Sequence, residues 1–150
     1  MTIEFKKEII TSRMLDASLG FQERTAKVEI RFDPLTGRAA ALMDGPMRKY
    51  AIAKSDLSEL VKRSLDMGCP FCPPNLEKVT PKYPPDIFPD GRLRYEEICI
   101  FPNTAAFAPY TAVASLGSQH FIEVGEYSEE LLLHGLQACQ LFLKRVAAYD

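Results

Sequence analysis

Cys69-Pro-Phe-Cys72 sets two thiols two residues apart, and Pro73-Pro74-Asn75 follows at once. Thiols at this spacing can grip one tetrahedral metal ion, because the tight turn between them points both sulfurs the same way. The pair reads either as half of a zinc site or as two idle thiols, since zinc takes four ligands and no second Cys-x-x-Cys is present. Only two histidines are available to extend the set. His120 opens an apolar stretch, Phe121-Ile-Glu-Val124, and is either a third ligand or a histidine satisfied by hydrogen bonds. His134 shares a helical face with Glu130, Gln137 and Arg145 and reads as a surface histidine. Cys99 and Cys139 fall in apolar patterns and read as core. A disulfide-exchange role needs a helix that starts at the first cysteine. Here a helix ends there and two prolines follow.

The remaining polar candidates are dispersed. Arg31 and Arg48 flank an expected hairpin, and either is a phosphate-binding guanidinium or an ordinary surface residue. Asn103 lies between Pro102 and Thr104 after an apolar run; it either meets a base, ribose or phosphate, or caps its own turn. Lys82 has the same two readings. No Gly-x-Gly-x-x-Gly, Walker loop or Gly-x-Ser-x-Gly occurs. The carboxylates form no pair that suggests acid–base chemistry.

Elements must hold these groups in place. Val28–Arg31 alternates apolar and charged residues and reads as a strand. Asp33-Pro-Leu-Thr-Gly37 is a turn in which Pro34 presets φ and Gly37 tolerates positive φ, and Arg38–Met43 is the returning strand. A helix is expected from Ser55 to Met67, capped by Ser55, with Leu57, Leu60, Val61 and Leu65 on its apolar face and Gly68 as the stop. Seven of the eleven prolines fall at 70, 73, 74, 81, 84, 85 and 89. That segment is read as an ordered loop, neither helix nor central strand. Tyr95–Phe101, Ala112–Leu116 and His120–Val124 are expected to form an antiparallel meander. A second helix runs from a Ser128 cap to about Ala148, with Leu132, Leu136, Cys139, Phe142, Leu143 and Val146 as its buried stripe.

The bulk numbers agree with one α+β domain. The chain has 150 residues, 47% of them hydrophobic, and a net charge of −2. That is enough for a packed core and gives no footprint for nucleic acid or an anionic membrane. The N-terminus, Met-Thr-Ile-Glu-Phe-Lys-Lys, lacks the apolar centre of a signal peptide. No apolar run approaches the roughly eighteen residues of a membrane span. Both point to the cytoplasm, where thiols stay reduced and a metal site is preferred to disulfides.

Taken in order, these pieces resemble the galactose-1-phosphate uridylyltransferase family of the histidine-triad superfold. Arg31-Phe-Asp-Pro-Leu-Thr-Gly37 is similar to the family's opening turn, Cys69-Pro-Phe-Cys72-Pro-Pro-Asn75 to its zinc knuckle, Thr80-Pro-Lys-Tyr-Pro-Pro85 with Asp90-Gly-Arg92 to the loop that follows, and Phe101-Pro-Asn103 to the strand whose Asn faces the nucleotide. The similarity covers residues 28–148, leaving 1–27 as an N-terminal extension. It implies half of a histidine-triad-like fold, an antiparallel sheet with packed helices, and a homodimeric habit. It implies nucleotidyl transfer between a nucleotide sugar and a sugar 1-phosphate in galactose metabolism, through a histidine-linked intermediate. Arg31, Arg48 and Asn103 match nucleotide-binding positions; Cys69 and Cys72 match zinc ligands. The family's third ligand lies in a Pro-Asp-His segment, matched here by Gly125-Glu126-Tyr127, so His120 is the candidate substitute. The fourth ligand and the nucleophile belong to a His-Pro-His strand that this chain does not contain. The resemblance therefore implies an N-terminal portion that is inactive alone. Its alternatives are a noncatalytic zinc-stabilised nucleotide-binding module and a nucleotide phosphorylase or hydrolase of the same superfold.

Overall fold

A computed structural model describes residues 4–43 and 56–150. It is an α+β arrangement of two three-stranded antiparallel sheets and three α-helices among the described residues. The first sheet follows the chain: β1 (Lys7–Asp16), β2 (Gln22–Phe32) and β3 (Ala39–Met43). The expected hairpin is present, with Phe32 opposite Ala39 and Val28 opposite Met43. Its turn works as the residue types require. Asp33 accepts from the Leu35 amide and the Thr36 hydroxyl, and Gly37 sits at φ 68°. The weakly patterned N-terminus forms β1, which pairs with β2 along its whole length from Lys7–Arg31 to Asp16–Gln22.

Asp16 closes that long ladder. Its side chain accepts from the Ser18 amide and hydroxyl and from Arg24. The Ser18 hydroxyl first, and Arg24 after it, hold the Asp16 carboxyl below its ordinary 3.8, against the opposing effect of burial. A folded value below the unfolded one means stability that is complete above the unfolded value and lost as the pH falls through the folded one. Asp16→Asn is therefore expected to cost about 1 kcal/mol at neutral pH. It should also flatten the acid limb of stability below about pH 4, a comparison that urea unfolding across that range makes directly.

The second sheet carries the core. It consists of β4 (Leu93–Tyr95), β5 (Ile98–Pro102) and β6 (Ala112–Leu116) in sequential antiparallel order. The expected Tyr95–Phe101 strand is thus a hairpin, broken at Glu96 and Glu97, where Glu96 takes φ 48°. His120–Val124 is not a strand: it is irregular chain leading into a 3-10 turn at Val124–Glu126, and Val124 is 92% exposed.

Every residue of β5 is buried. Ile98 and Ile100 face α3 (Glu129–Tyr149), where they meet Ala138 and Phe142. Cys99 and Phe101 face the other way and meet Leu76 of the five-residue α2 (Asn75–Val79). The proline-rich segment is ordered as expected, but it does hold this short helix, between Pro74 and Pro81, where no proline interrupts the turn. Its apolar residues are core: Tyr83, Ile87 and Phe88 are buried, and Phe88 stacks parallel to Phe142 at 5.6 Å. The first sheet is joined to the proline-rich segment by Leu15 and Lys82, which exchange both backbone hydrogen bonds, and by Arg13 with Asp86.

Ser128 caps α3 as expected, accepting from the Leu131 amide. Ser128→Ala is expected to cost about 1 kcal/mol, read as a lower urea midpoint with an unchanged slope. The buried stripe of α3 differs from the expected one. Leu131, Ala138, Phe142 and Val146 pack inward, whereas Leu132, Leu136, Leu143 and Cys139 are exposed. Both faces of this helix are apolar, so the periodicity could not tell which one meets the sheet. Gly135, one step off the expected stripe, lies against Leu116 and brings the helix close. His134 is half-buried, not on a solvated face, and its Nδ1 lies 2.9 Å from Glu97 at the β4–β5 turn. Among the described residues no helix is long and apolar enough to cross a membrane.

Candidate metal centre

The first of the three helices, α1 (Leu57–Asp66), delivers the knuckle. Its cap is Asp56, which accepts from the amide and hydroxyl of Ser58; the expected cap, Ser55, lies outside the described residues. The apolar face expected to be buried is largely open, with Leu57, Leu60 and Leu65 all exposed and Val61 half-buried. Gly68 ends the helix at φ 81°, as the sequence requires. The chain then turns through Cys69-Pro-Phe-Cys72. The Cys72 amide donates to the Cys69 carbonyl at 3.4 Å, and the Asn75 side chain donates to the same oxygen at 3.2 Å. Cys72 in turn receives the amides of Asn75 and Leu76, so α2 starts on the knuckle. Phe71 stacks on Phe101 at 6.0 Å and fixes the turn to β5.

His120 arrives from the opposite direction, in the segment after β6. Its Nδ1 lies 3.1 Å from Cys72 Sγ. The donor atoms of Cys69, Cys72 and His120 all lie within 4.8 Å of one another. Edges of roughly 3.5 Å are what a tetrahedral ion with bonds of about 2.0–2.3 Å requires. The other ring nitrogen is already engaged. Nε2 lies 2.8 Å from Ser64 Oγ and 3.2 Å from the Val61 carbonyl, while Ser64 Oγ itself donates to that carbonyl at 2.8 Å. A carbonyl can only accept, so Nε2 carries the proton and Nδ1 presents its lone pair to the two sulfurs. This is the second-shell arrangement that metal-binding imidazoles use. Burial, and then the neighbouring Cys69, push the Cys72 thiol up. Without a cation Cys72 therefore stays a thiol, and a metal ion between the sulfurs is what would make the thiolate form favourable. The residues present therefore fit a metal ion.

The other candidate residues do not converge here. Arg31 lies on β2 of the first sheet, exposed, with its Nε 2.5 Å from Glu29. Asn103 follows β5, and its side-chain oxygen accepts from the Ala105 amide at 3.0 Å, so it caps its own turn. Arg48 lies outside the described residues. Lys82 sits 4.7 Å from the Phe21 ring. Gly125-Glu126-Tyr127, the stretch matched to a third ligand, lies in and beside the 3-10 turn and supplies no donor to the cluster. Cys99 is buried, as its pattern suggests. Two participants had no signal in the sequence, Ser64 and the Val61 carbonyl. Their roles follow only from the helix placing both of them beside His120.

The fold and the cluster define an α+β chain with a candidate Cys₂His metal centre. It is similar to a protein of Archaeoglobus fulgidus described only as an uncharacterized protein, with 26% identity over 144 residues. The match takes in 96% of this chain and 41% of that relative, so the chain spans about two fifths of the relative's length. No protein-family description and no solved structure matches the chain.

Proposed function

We propose that this chain is the zinc-bearing portion of a nucleotidyltransferase of the galactose-1-phosphate uridylyltransferase type, with a histidine-triad-like fold. The observation that carries the proposal is the meeting of Cys69, Cys72 and His120, with His120 Nδ1 freed by its anchor to Ser64. Thiolate and imidazole together suit zinc better than the harder divalent ions. On this reading the metal is structural: it ties the end of α1, the knuckle and the segment after β6 into one unit beside β5. Arg31, Arg48 and Asn103 are the proposed nucleotide contacts, and Asn103 retains its side-chain amide donors for one. The reaction of the whole protein would move a nucleoside monophosphate between a nucleotide sugar and a sugar 1-phosphate.

A second reading, a zinc-stabilised nucleotide-binding module without transfer activity, is favoured by the histidines. His120 belongs to the cluster and His134 faces Glu97, so neither stands free to attack a phosphate. Calorimetric titration of this chain with uridine and adenosine nucleotides, run beside exchange of labelled glucose 1-phosphate into UDP-glucose by the whole protein that carries it, separates the two. Binding with exchange supports the transferase, binding alone supports the module, and no nucleotide binding overturns both.

A further inference from the structure

A cleft lined by none of the cluster residues carries a different chemistry. It opens between α3 and the start of β4, with a volume of about 340 Å³, within the usual range of roughly 300–1,000 Å³ for small-molecule sites. Three guanidiniums line it: Arg92, Arg94 and Arg145. Phe88, Leu93 and Leu141 supply its apolar wall.

The guanidiniums are not equivalent. Arg92 is buried and held by Glu77, Thr80 and the Leu76 carbonyl, yet its Nε is buried with no partner. Native structures rarely leave such a donor unpaired, and a ligand oxygen or ordered water is the common remedy. Arg94 shares Glu77 with Arg92. Arg145 lies 5.7 Å from the Phe88 ring and, among the described residues, bonds through its Nε alone, 3.5 Å from the Ile87 carbonyl. Its terminal nitrogens are left for the cleft. Glu77 and Asp90 offset two of the three positive charges, leaving the site cationic.

We infer that this cleft binds a phosphate monoester, with the phosphate between Arg94 and Arg145 and the organic body against Phe88, Leu93 and Leu141. A carboxylate is saturated by one guanidinium fork, whereas the terminal oxygens of a phosphate can take two. The apolar wall selects an ester with an aromatic or hydrocarbon body over the free ion.

Phenyl phosphate, inorganic phosphate and benzoate, titrated into the full chain and followed by amide chemical shifts, test this. Phenyl phosphate is expected to saturate and to bind at least tenfold more tightly than either of the others. Arg94→Gln and Arg145→Gln should each weaken it about tenfold, roughly one lost charge-assisted contact, without changing the melting temperature. Equal affinity for benzoate would overturn the phosphate assignment, and equal affinity for inorganic phosphate would overturn the apolar wall. Binding that survives both substitutions, or none that saturates, would overturn the site itself.

Discussion

Cys72→Ser is expected to abolish binding of one metal equivalent per chain and to lower the melting temperature by about 10 °C. Serine keeps the size of the side chain but offers no thiolate, so the cluster of Cys69, Cys72 and His120 drops to two ligands. An ion held at a thousand times its dissociation constant contributes about 4 kcal/mol to the folded state. For a chain of this size each kcal/mol is worth roughly 2–4 °C. Chelation of the wild type should produce the same fall, and chelation of Cys72→Ser none. Cys139→Ser is the control, because that thiol is exposed on α3 and outside the cluster. Ser64→Ala should keep the ligands but release Nε2, weakening the metal about tenfold or more. Protons compete for both thiolates and for His120 Nδ1, so affinity should fall as the pH falls. Metal analysis by mass spectrometry with parallel melts reads all of this. A full equivalent retained in Cys72→Ser would remove the knuckle from the site.

Local chemistry was legible in the sequence wherever one residue dictates its own surroundings. The Asp33–Gly37 turn, the Gly68 stop, the Ser128 cap and the knuckle itself need no distant partner to specify them. His120 was an open candidate because its role depends on Val61 and Ser64, more than fifty positions away in the chain. The errors have the same origin. α3 is apolar on both faces, so only the position of β5 decides that Ala138 joins the expected Phe142 inside while Leu136 and Cys139 stay out. The stretch from His120 to Val124 has the composition of a strand, but pairing ends at Leu116 and Val124 is left in the open. β1 has charged and polar residues along its first half and a weak pattern; its length comes from ten paired positions with β2, which composition does not reveal.

Arg92→Met is expected to be the most damaging single change outside the cluster, at about 3 kcal/mol or more. Arg92 is 5% exposed, and one of its terminal nitrogens reaches the Leu76 and Thr80 carbonyls and the Thr80 hydroxyl while the other donates to Glu77 at 2.7 Å. Methionine fills much of the volume but takes the donor from the buried Thr80 carbonyl, which is the costly half of breaking such a contact, whereas the Leu76 carbonyl keeps the Thr80 amide and hydroxyl. Glu77 is half exposed and can rehydrate, so the loss comes from the Thr80 carbonyl more than from the ion pair. Arg92→Lys should recover only part of the stability, since one ammonium cannot span the same fork. The change should also reach the metal centre. Arg92 holds both ends of α2, and α2 begins on the Cys72 carbonyl. Loosening α2 frees the knuckle on its downstream side, so Arg92→Met should lose metal to a chelator faster than the wild type although every ligand is intact. Urea unfolding and a chelator-competition time course measure the two effects separately. Full destabilisation with unchanged metal release would mean that the knuckle is held by α1 and His120 alone.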